Sequence, residues 1–335
     1  MKPFTHIKVH SVDQAAQALR DYKGRAVLMA GGTDLMGCLK DRLWLEPPQA
    51  VIDLKNISSL CGIVPSPDGL SIGALTTLTE IAESEPIISR YLALARAAAR
   101  TASPLLRNMG TISGNICQEN RCWYYRYPHK LGGLIPCVRK GGDKCLAVPG
   151  DSRYHSIFGA VNKCIAVNPG DTAPALIALA ATAVTNKRKI PLDEFFAADR
   201  GKQSTVLEAD EMVTALELPA RTAAGDSSDC RSAFKKLAFR RSIDFAIVNC
   251  AAWLKIDDGL VAEARICLNG VYNNPVRAEA SEQFLIGAPL TAEAAAQAAL
   301  LAVERSKPLP SNAYKVPMVQ AMVEDCLIGC LPAND

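Results

Sequence analysis

Arg25-Ala-Val-Leu-Met-Ala-Gly-Gly-Thr-Asp34 runs from a short apolar segment directly into a pair of glycines. The apolar part predicts a buried strand, and a glycine after a strand lets the backbone approach a phosphate closely. Successive N–H groups in such a turn bind anions, and Thr33 adds a hydroxyl donor. A Gly-Gly pair is also common in ordinary turns, so this loop alone is a weak indication. Its spacing fits neither the dinucleotide fingerprint of Rossmann domains nor the Walker loop of NTPases.

A second glycine loop follows later in the chain. Gly110-Thr-Ile-Ser-Gly-Asn115 lies within residues 109–115, which we predict to form a short strand or turn. Two glycine loops in one domain can hold the two ends of a dinucleotide, because each offers backbone N–H groups to an anion. The pair therefore favours a dinucleotide site over two unrelated turns.

Four cysteines, Cys122, Cys137, Cys145 and Cys164, fall in a segment rich in glycine, proline and basic residues. A long stretch without a helix or strand pattern is uncommon in a compact domain unless it is functional or disordered. Four thiolates around one metal centre would hold such a segment in place. The spacing by itself leaves three kinds of link open: an iron–sulfur cluster, a zinc ion or disulfides.

Iron–sulfur ligation is the preferred alternative of the three. Zinc sites usually bring cysteines in close pairs, and no Cys-x-x-Cys pair occurs in this segment. The chain shows no signal peptide and no run of eighteen apolar residues, so we expect a cytoplasmic location, where structural disulfides are rare. An iron–sulfur cluster takes four cysteines with spacing that varies between families.

The composition allows two ordinary globular domains. The chain has 335 residues, 49% of them hydrophobic, and a formal net charge of only +3, which argues against a nucleic-acid surface and gives no sign of a membrane partner. Capping boxes at Ser11 and Thr77 predict helix starts, and Cys326 and Cys330 share one helix face, as packing residues do. Further predicted helices are 92–101, 171–180 with Asp171 or Thr172 as N-cap, 275–287, 290–305 and 314–331; predicted strands are 49–54, 70–74, 234–239, 245–256 and 262–271; the predicted linker is 226–229.

Taken together, several stretches resemble the FAD-binding medium subunit of the xanthine dehydrogenase family of molybdenum hydroxylases. The likeness covers nearly the whole chain. The stretches are the Ala30–Leu35 loop, Ile72-Gly-Ala74, Thr111–Asn115, Asp171-Thr-Ala-Pro-Ala-Leu176, Lys236–Phe245, and Asn269-Gly-Val271 leading to Pro275-Val-Arg277.

The resemblance implies an α+β protein of two domains. The first, residues 1–222, would be a two-lobed FAD-binding domain of the vanillyl-alcohol oxidase type with an iron–sulfur insertion at about 118–166. The second, residues 228–335, would be the small α+β domain of the carbon monoxide dehydrogenase flavoprotein, a three-stranded antiparallel sheet with helices.

A subgroup of this family carries the cysteine segment and binds a [4Fe–4S] cluster. It includes the β-subunit of 4-hydroxybenzoyl-CoA reductase and the medium subunit of a bacterial aldehyde oxidoreductase. The segment resembles the first around Cys122 and Cys145 and the second before Cys164, so the substrate cannot be assigned from it. By this resemblance the cluster ligands are Cys122, Cys137, Cys145 and Cys164, and Cys117 is not a ligand.

The resemblance also implies which residues bind FAD, and it implies no catalytic residue in this chain. The first loop would hold the pyrophosphate, the second loop the other side of the cofactor, Asp171 a sugar or ribityl hydroxyl, and Lys236 the flavin region. Ser113 stands where many relatives have glycine. The implied cofactor-binding residues are Leu28, Met29, Ala30, Gly31, Gly32, Thr33, Asp34, Leu35, Thr101, Thr111, Ile112, Ser113, Gly114, Asn115, Gln118, Asp171 and Lys236.

The first functional hypothesis is an FAD and [4Fe–4S] electron-transfer subunit that works with a molybdopterin-binding large subunit and a [2Fe–2S] small subunit. Its external electron carrier would be a ferredoxin or a flavodoxin, and NAD is the alternative carrier. The alternatives are a stand-alone flavoprotein oxidase on the same fold and a zinc-stapled binding module. Between Cys122 and Cys164, seven basic residues outnumber Asp143 and Asp151, and we expect part of this surplus to face an acidic partner. The seven are Arg126, Lys130, Arg139, Lys140, Lys144, Arg153 and Lys163.

Overall fold

The computed structural model describes residues 1–66, 68–131, 133, 135–196, 204–220 and 229–331. Residues 226–228 of the predicted linker lie outside these ranges, and Asp229 begins a strand. Among the described residues, no helix is both long and apolar enough to cross a membrane.

The first lobe is a small parallel sheet with two helices. Its strands are β1 (Thr5–Lys8), β2 (Ala26–Met29) and β3 (Ala50–Asp53), in the order β1-β3-β2. Helix α1 (Val12–Tyr22) starts at the predicted N-cap, where Ser11 Oγ accepts a hydrogen bond from the Gln14 N–H at 3.2 Å. Helix α2 (Leu35–Asp41) follows the first glycine loop directly. The strand–glycine–helix order predicted from residues 25–34 is therefore present.

The second lobe is a five-stranded antiparallel sheet covered by short helices. The sheet order is β4-β5-β8-β6-β7, and its buried face packs on the helices through residues such as Ile72, Leu94, Leu176 and Leu216. The two lobes confirm the predicted architecture of the N-terminal part. The strands are β4 (Ile63–Ser66), β5 (Gly69–Gly73), β6 (Thr182–Thr185), β7 (Lys189–Pro191) and β8 (Val213–Pro219); the helices are α3 (Leu78–Glu83), α4 (Glu85–Arg90), α5 (Leu92–Ala99), α6 (Pro104–Arg107), α7 (Ile112–Ile116) and α8 (Thr172–Ala178).

One local prediction was wrong. The segment predicted as a strand or turn over 109–115 contains helix α7, whose N-cap Thr111 accepts from the Gly114 N–H at 3.2 Å. A capping hydroxyl satisfies an otherwise unpaired N–H, and the adjacent buried Ile112 and Ile116 fix the helix on the core. Asp171 does occupy the N-cap position of α8, but its side chain makes no capping hydrogen bond.

The cysteine segment has almost no regular structure, as its sequence predicted. Over the described part of residues 118–166, the only helical pieces are 3₁₀ turns at His129–Leu131 and Val138–Lys140. Isolated bridges join Arg121 to Val167 and Val161 to Cys164. The segment therefore depends on side-chain contacts for its shape.

The C-terminal domain is an antiparallel meander backed by helices. The three predicted strands are β9 (Asp229–Leu237), β10 (Val248–Asp257) and β11 (Leu260–Asn269), and a two-residue strand β12 (Val276–Arg277) extends the sheet edge. Cys326 and Cys330 are buried in the core, which confirms the packing interpretation. The helices are α9 (Glu279–Leu285), α10 (Ala292–Leu301) and α11 (Lys315–Ile328).

The C-terminal domain holds the end of the cysteine segment through a buried lysine. Lys315 is fully buried, and its ammonium donates to the carbonyl oxygens of His155 at 3.2 Å and Gly270 at 2.6 Å. Asn312 Nδ2 donates to the Ser156 carbonyl at 2.9 Å. Burial lowers the pKa of Lys315 to about 7, because an apolar interior disfavours the charged form.

This buried lysine makes stability depend on pH. Above pH 7 the folded protein carries neutral Lys315, whereas the unfolded chain keeps the amine protonated up to the ordinary value of 10.5. The unfolded state binds more protons in that window, so the free energy of unfolding rises with pH. Compared with Lys315→Met, the wild type should gain on the order of 3 kcal/mol between pH 7 and 10. Urea unfolding of both proteins at each pH measures the difference, and a constant difference contradicts the prediction.

Candidate functional site

A cavity of about 430 Å³ opens between the two lobes and the C-terminal domain. Both glycine loops contribute to its wall, and so does the start of α8. Of the cofactor residues implied by the resemblance, those that line the cavity are Leu28, Ala30, Gly31, Gly32, Thr33, Asp34, Leu35, Thr101, Thr111, Ser113, Gly114, Asn115, Gln118 and Asp171. Met29, Ile112 and Lys236 are not among its lining residues.

The two glycine loops touch each other through their backbones. A Cβ atom on Gly31 would lie 1.8 Å from the carbonyl oxygen of Met109, so only glycine fits at this position. Gly32 has a φ of +73°, a backbone conformation that glycine adopts without steric cost. The two loops therefore meet at the wall of one cavity, to which both contribute residues.

Polar side chains fix the second loop to its neighbours. Ser113 Oγ donates to the Ala74 carbonyl at 2.7 Å, so the serine that replaces a glycine is seated within α7. Asn115 Oδ1 accepts from the Thr172 N–H at 3.2 Å and from Thr172 Oγ1 at 2.6 Å. The loop is thereby tied to the beginning of α8, which brings Asp171 to the cavity wall.

A buried ion pair stands at that wall. Asp171 Oδ2 lies 2.6 Å from Lys236 Nζ, with both side chains under 5% exposed, and Asn249 Nδ2 donates to Asp171 Oδ1 at 2.7 Å. Burial raises the pKa of the Asp171 carboxyl, and Lys236 and Asn249 oppose that shift. Lys236 also donates to the Arg100 carbonyl at 3.1 Å. Lys236 is therefore buried, and its direct partner is Asp171.

Arg121 and Phe245 line the cavity, although the sequence did not indicate them as site residues. The guanidinium of Arg121 lies 3.6 Å from the ring centre of Phe245, a cation–π contact, and both residues line the cavity. They are far apart in the chain, so no local pattern links them. In the sequence Arg121 is a single cation next to Cys122, and it belongs to no recognisable motif.

An acidic residue of the first loop connects the cavity to the cysteine segment. Asp34 Oδ1 accepts from Arg126 Nη1 at 2.6 Å and from Arg121 Nη2 at 3.0 Å, and its Oδ2 accepts from Arg126 Nη2 at 3.0 Å. Burial alone would raise the pKa of Asp34, but the two guanidinium groups hold it below the usual value. The first loop and the segment are therefore joined by a partly buried, bidentate pair, a strong type of contact.

Each of the four segment cysteines interacts electrostatically with at least one other of the four, and all twelve cysteines of the chain are free thiols. Cys122 interacts electrostatically with Cys164 and Cys137, and Cys164 does so with Cys145. Burial, more than these neighbours, raises the pKa of Cys122 to about 12. Within the described residues, no three His, Cys, Asp or Glu side chains are close enough to hold a metal ion.

Two of these sulfur atoms have a nitrogen atom within hydrogen-bond distance. The Ala166 N–H lies 3.4 Å from Cys164 Sγ, and His155 Nε2 lies 3.1 Å from Cys122 Sγ. His155 is buried, and its burial, with Lys315 nearby, lowers its pKa to about 4. The imidazole is therefore neutral at pH 7 and carries a single N–H donor.

Cys117 stands apart from this group. Its thiol lines the cavity, and burial raises its pKa to about 12. A thiol with so high a pKa is a poor nucleophile, because the thiolate is the reactive form. Covalent attachment of a cofactor through Cys117 is therefore disfavoured.

The basic residues of the segment divide into two sets. Arg126 pairs with Asp34, while Arg139 and Lys140 are only 5% and 4% exposed. Arg139 donates to Glu119 Oε2 at 3.2 Å and to Ser204 Oγ at 2.9 Å. Only part of the basic surplus was expected to face outward, and these inward cations do not belong to that part. The side chain of Lys130 lies outside the described part of the chain. The exposed members are Lys144, Arg153 and Lys163.

Comparison with known families assigns both parts of the chain. Residues 2–221 match the family described as the FAD binding domain in molybdopterin dehydrogenase. Residues 232–328 match the CO dehydrogenase flavoprotein C-terminal domain. The two matches account for nearly all of the described structure.

Individual relatives agree with these matches. The aldehyde oxidoreductase FAD-binding subunit of Escherichia coli is 33% identical over 291 residues, covering 84% of this chain and 86% of that subunit. The nicotinate dehydrogenase FAD-subunit of Eubacterium barkeri is 29% identical, covering 99% and 97%. In a structure of carbon monoxide dehydrogenase from Hydrogenophaga pseudoflava, one chain superposes with a TM-score of 0.75 at 28% identity, covering 98% of each chain.

The contact between the glycine loops can be tested by substitution. Gly31→Ala should displace one loop from the other, because its Cβ would collide with the Met109 carbonyl at 1.8 Å. Such overpacking costs about 1–3 kcal/mol, which corresponds to FAD binding weakened about 10- to 100-fold. Titration of the flavin-free protein with FAD measures the affinity.

Gly37→Ala is the matched control. A Cβ on Gly37 would have no atom within 4 Å, and the residue lies inside α2. This variant should bind FAD like the wild type. Equal affinity for Gly31→Ala as well would show that the loop contact does not shape the cofactor site.

Proposed function

Because the chain belongs to the family of FAD-binding subunits of molybdopterin dehydrogenases, which are oxidoreductases, we propose that it transfers electrons within a molybdenum hydroxylase complex. One observation carries this proposal: Arg121 lines the cavity, and the next residue, Cys122, belongs to the group of four thiols. A single peptide unit thus connects a flavin pocket to a candidate iron–sulfur site. Such adjacency suits electron transfer more than binding alone.

FAD would lie in the cavity between the two glycine loops. Backbone N–H groups of Gly31, Gly32 and Thr33 would face its pyrophosphate, since successive N–H groups in a turn bind anions. Thr111 and Gln118 would face the cofactor from the second loop. When bound, FAD supplies the exchange between two-electron and one-electron chemistry, and the protein supplies position and electrostatics.

Asp171 would serve the flavin through its position rather than as a free acceptor. Both carboxylate oxygens already have partners, Lys236 and Asn249, at 2.6 and 2.7 Å. A carboxylate oxygen accepts more than one hydrogen bond, so Asp171 retains capacity for a hydroxyl of the cofactor. The ion pair would keep it ionised and fixed at the wall.

The four thiols would hold a [4Fe–4S] cluster. The described part of the segment has no sheet or long helix of its own, and electrostatic interactions connect its four cysteines. The Ala166 N–H faces Cys164 Sγ, and a ring nitrogen of His155 faces Cys122 Sγ. Hydrogen bonds to ligand sulfur are what such clusters require of their surroundings. The predicted ligands Cys122, Cys137, Cys145 and Cys164 therefore fit this group.

The two other hypotheses find less support. Zinc sites usually bring cysteines in close pairs, and no Cys-x-x-Cys pair occurs in this segment. A stand-alone oxidase with covalent flavin would require an activated His or Cys, and burial raises the pKa of Cys117 to about 12. The electron-transfer role explains both the cavity and the thiols.

The partners within the complex would be a molybdopterin-binding subunit and a [2Fe–2S] subunit. The chemistry on the organic substrate would occur in the molybdopterin-binding subunit, because the cavity of this chain is lined by the two loops that would hold FAD. The external acceptor would be an acidic one-electron carrier that meets Lys144, Arg153 and Lys163, the exposed cations near the thiols. The cytoplasmic location inferred from the sequence stays a prediction.

Iron analysis tests the cluster. Anaerobically purified wild type should contain about four irons and one FAD per chain. Cys122→Ser and Cys164→Ser should each lose most of the iron, and the segment should become more sensitive to protease, because ligation and order are linked. Cys117→Ser is the control and should keep its iron. Iron retained by Cys122→Ser but lost from Cys117→Ser would refute the ligand set.

The exposed cations predict a salt-dependent reaction with the carrier. Lys144→Gln/Lys163→Gln should slow electron exchange with an acidic ferredoxin severalfold at low ionic strength, because charge complementarity speeds encounter. Above about 0.5 M salt the variant and wild type should converge, since exposed charges are screened. Stopped-flow absorbance measures the rates. Rates that respond neither to salt nor to the substitutions would contradict the proposed docking.

A further inference from the structure

Lys140 is a buried cation of the cysteine segment without a hydrogen-bond partner among the described residues. The side chain of Lys140 is buried, with 4% of the residue exposed. Its ammonium makes no hydrogen bond to any atom of the part of the chain that the structure describes. The residue ends the 3₁₀ turn Val138–Lys140, which begins directly after Cys137, and its N–H donates to the Cys137 carbonyl at 2.8 Å. The backbone of this turn therefore places Lys140 in the interior, next to Cys137.

An unpaired ammonium in a protein interior is costly, because the charge has lost its hydration shell. The groups that interact electrostatically with this ammonium are the side chains of Cys137 and Cys122. The ring of Tyr125, with its centre 5.7 Å from the ammonium, offers only a cation–π contact. Within the described residues the buried ammonium has no hydrogen-bonded anion, so a compensating negative charge is still needed beside it.

The other cations of the segment differ from Lys140 in this respect. Arg139 meets Glu119 and Ser204, and Arg126 meets Asp34. Lys144 is exposed to solvent. Lys140 is therefore the buried cation whose compensating charge has to come from the group that the four cysteines bind.

We propose that Lys140 is the counter-ion of the [4Fe–4S] cluster and raises its reduction potential. This inference rests on the proposed function, because it requires the cluster. Four thiolates around an oxidised core carry a net charge of about −2, and one electron from the reduced flavin brings it to about −3 without making or breaking a bond. A fixed positive charge in a dry site stabilises the reduced state more than the oxidised state.

The test is the midpoint potential of the cluster, followed by EPR during a redox titration of the anaerobically purified full chain. Lys140→Met removes the charge and keeps a side chain of similar length, so the potential should shift to lower values. Lys140→Arg keeps the charge and should stay close to the wild type. Lys144→Met is the matched control: it loses the same charge in solvent and should shift the potential much less, because water and salt screen it.

Each result of these measurements either supports or overturns the role of Lys140 as the counter-ion. A potential for Lys140→Met that moves no further than that of Lys144→Met overturns the proposal. Where the neutral variants hold too little iron to titrate, iron content is the measurement instead. Loss of iron from Lys140→Met and Lys140→Gln, with iron retained in Lys140→Arg and Lys144→Met, supports the requirement for a positive charge at position 140. Loss of iron from Lys140→Arg as well shows that the shape of the lysine side chain, and not its charge, is needed, and this result overturns the proposal. Wild type without iron refutes the cluster itself, which distinguishes failure of the proposed function.

Discussion

The contact between Asp34 and Arg126 is the constraint on which the site depends. Asp34 ends the first glycine loop, and Arg126 lies in a segment without regular structure; their side chains meet at 2.6 Å in a setting where both are largely buried. Arg126 also donates to the Glu119 carbonyl at 2.6 Å. Breaking a buried pair on one side leaves an uncompensated charge, so neither element can move without the other. The wall of the cavity and the cysteine segment are thus held together.

The same principle organises the rest of the interior. Charged groups are brought inside where they connect elements distant in sequence, as Lys236 does for β9 and α8 and as Lys315 does for α11 and the cysteine segment. Each of these groups has carbonyl or carboxylate partners within hydrogen-bond distance, which offsets the loss of water. Against this pattern Lys140 stands out, since its nearest electrostatic partners are thiols.

Much of the architecture could be predicted because it follows from local patterns. The caps at Ser11 and Thr77, the strand before Gly31 and the three long strands of the C-terminal domain all appear where the sequence indicated. Boundaries moved by a few residues, as helix ends fray. The segment over 109–115 was misjudged because a five-residue helix has too few residues to show a period, and it is held by its cap and by burial of Ile112 and Ile116.

The sequence by itself determined the elements, the glycines of the first loop and the candidate thiol ligands. These depend on residue type and spacing along the chain, which hydrogen-bonding and steric rules translate directly into local geometry. Only the tertiary structure decided which charges are inside. Arg139, Lys140 and Lys144 look alike in a basic run, yet two are buried and one is exposed. That outcome depends on partners such as Glu119 and on packing around the thiols, which no local pattern encodes.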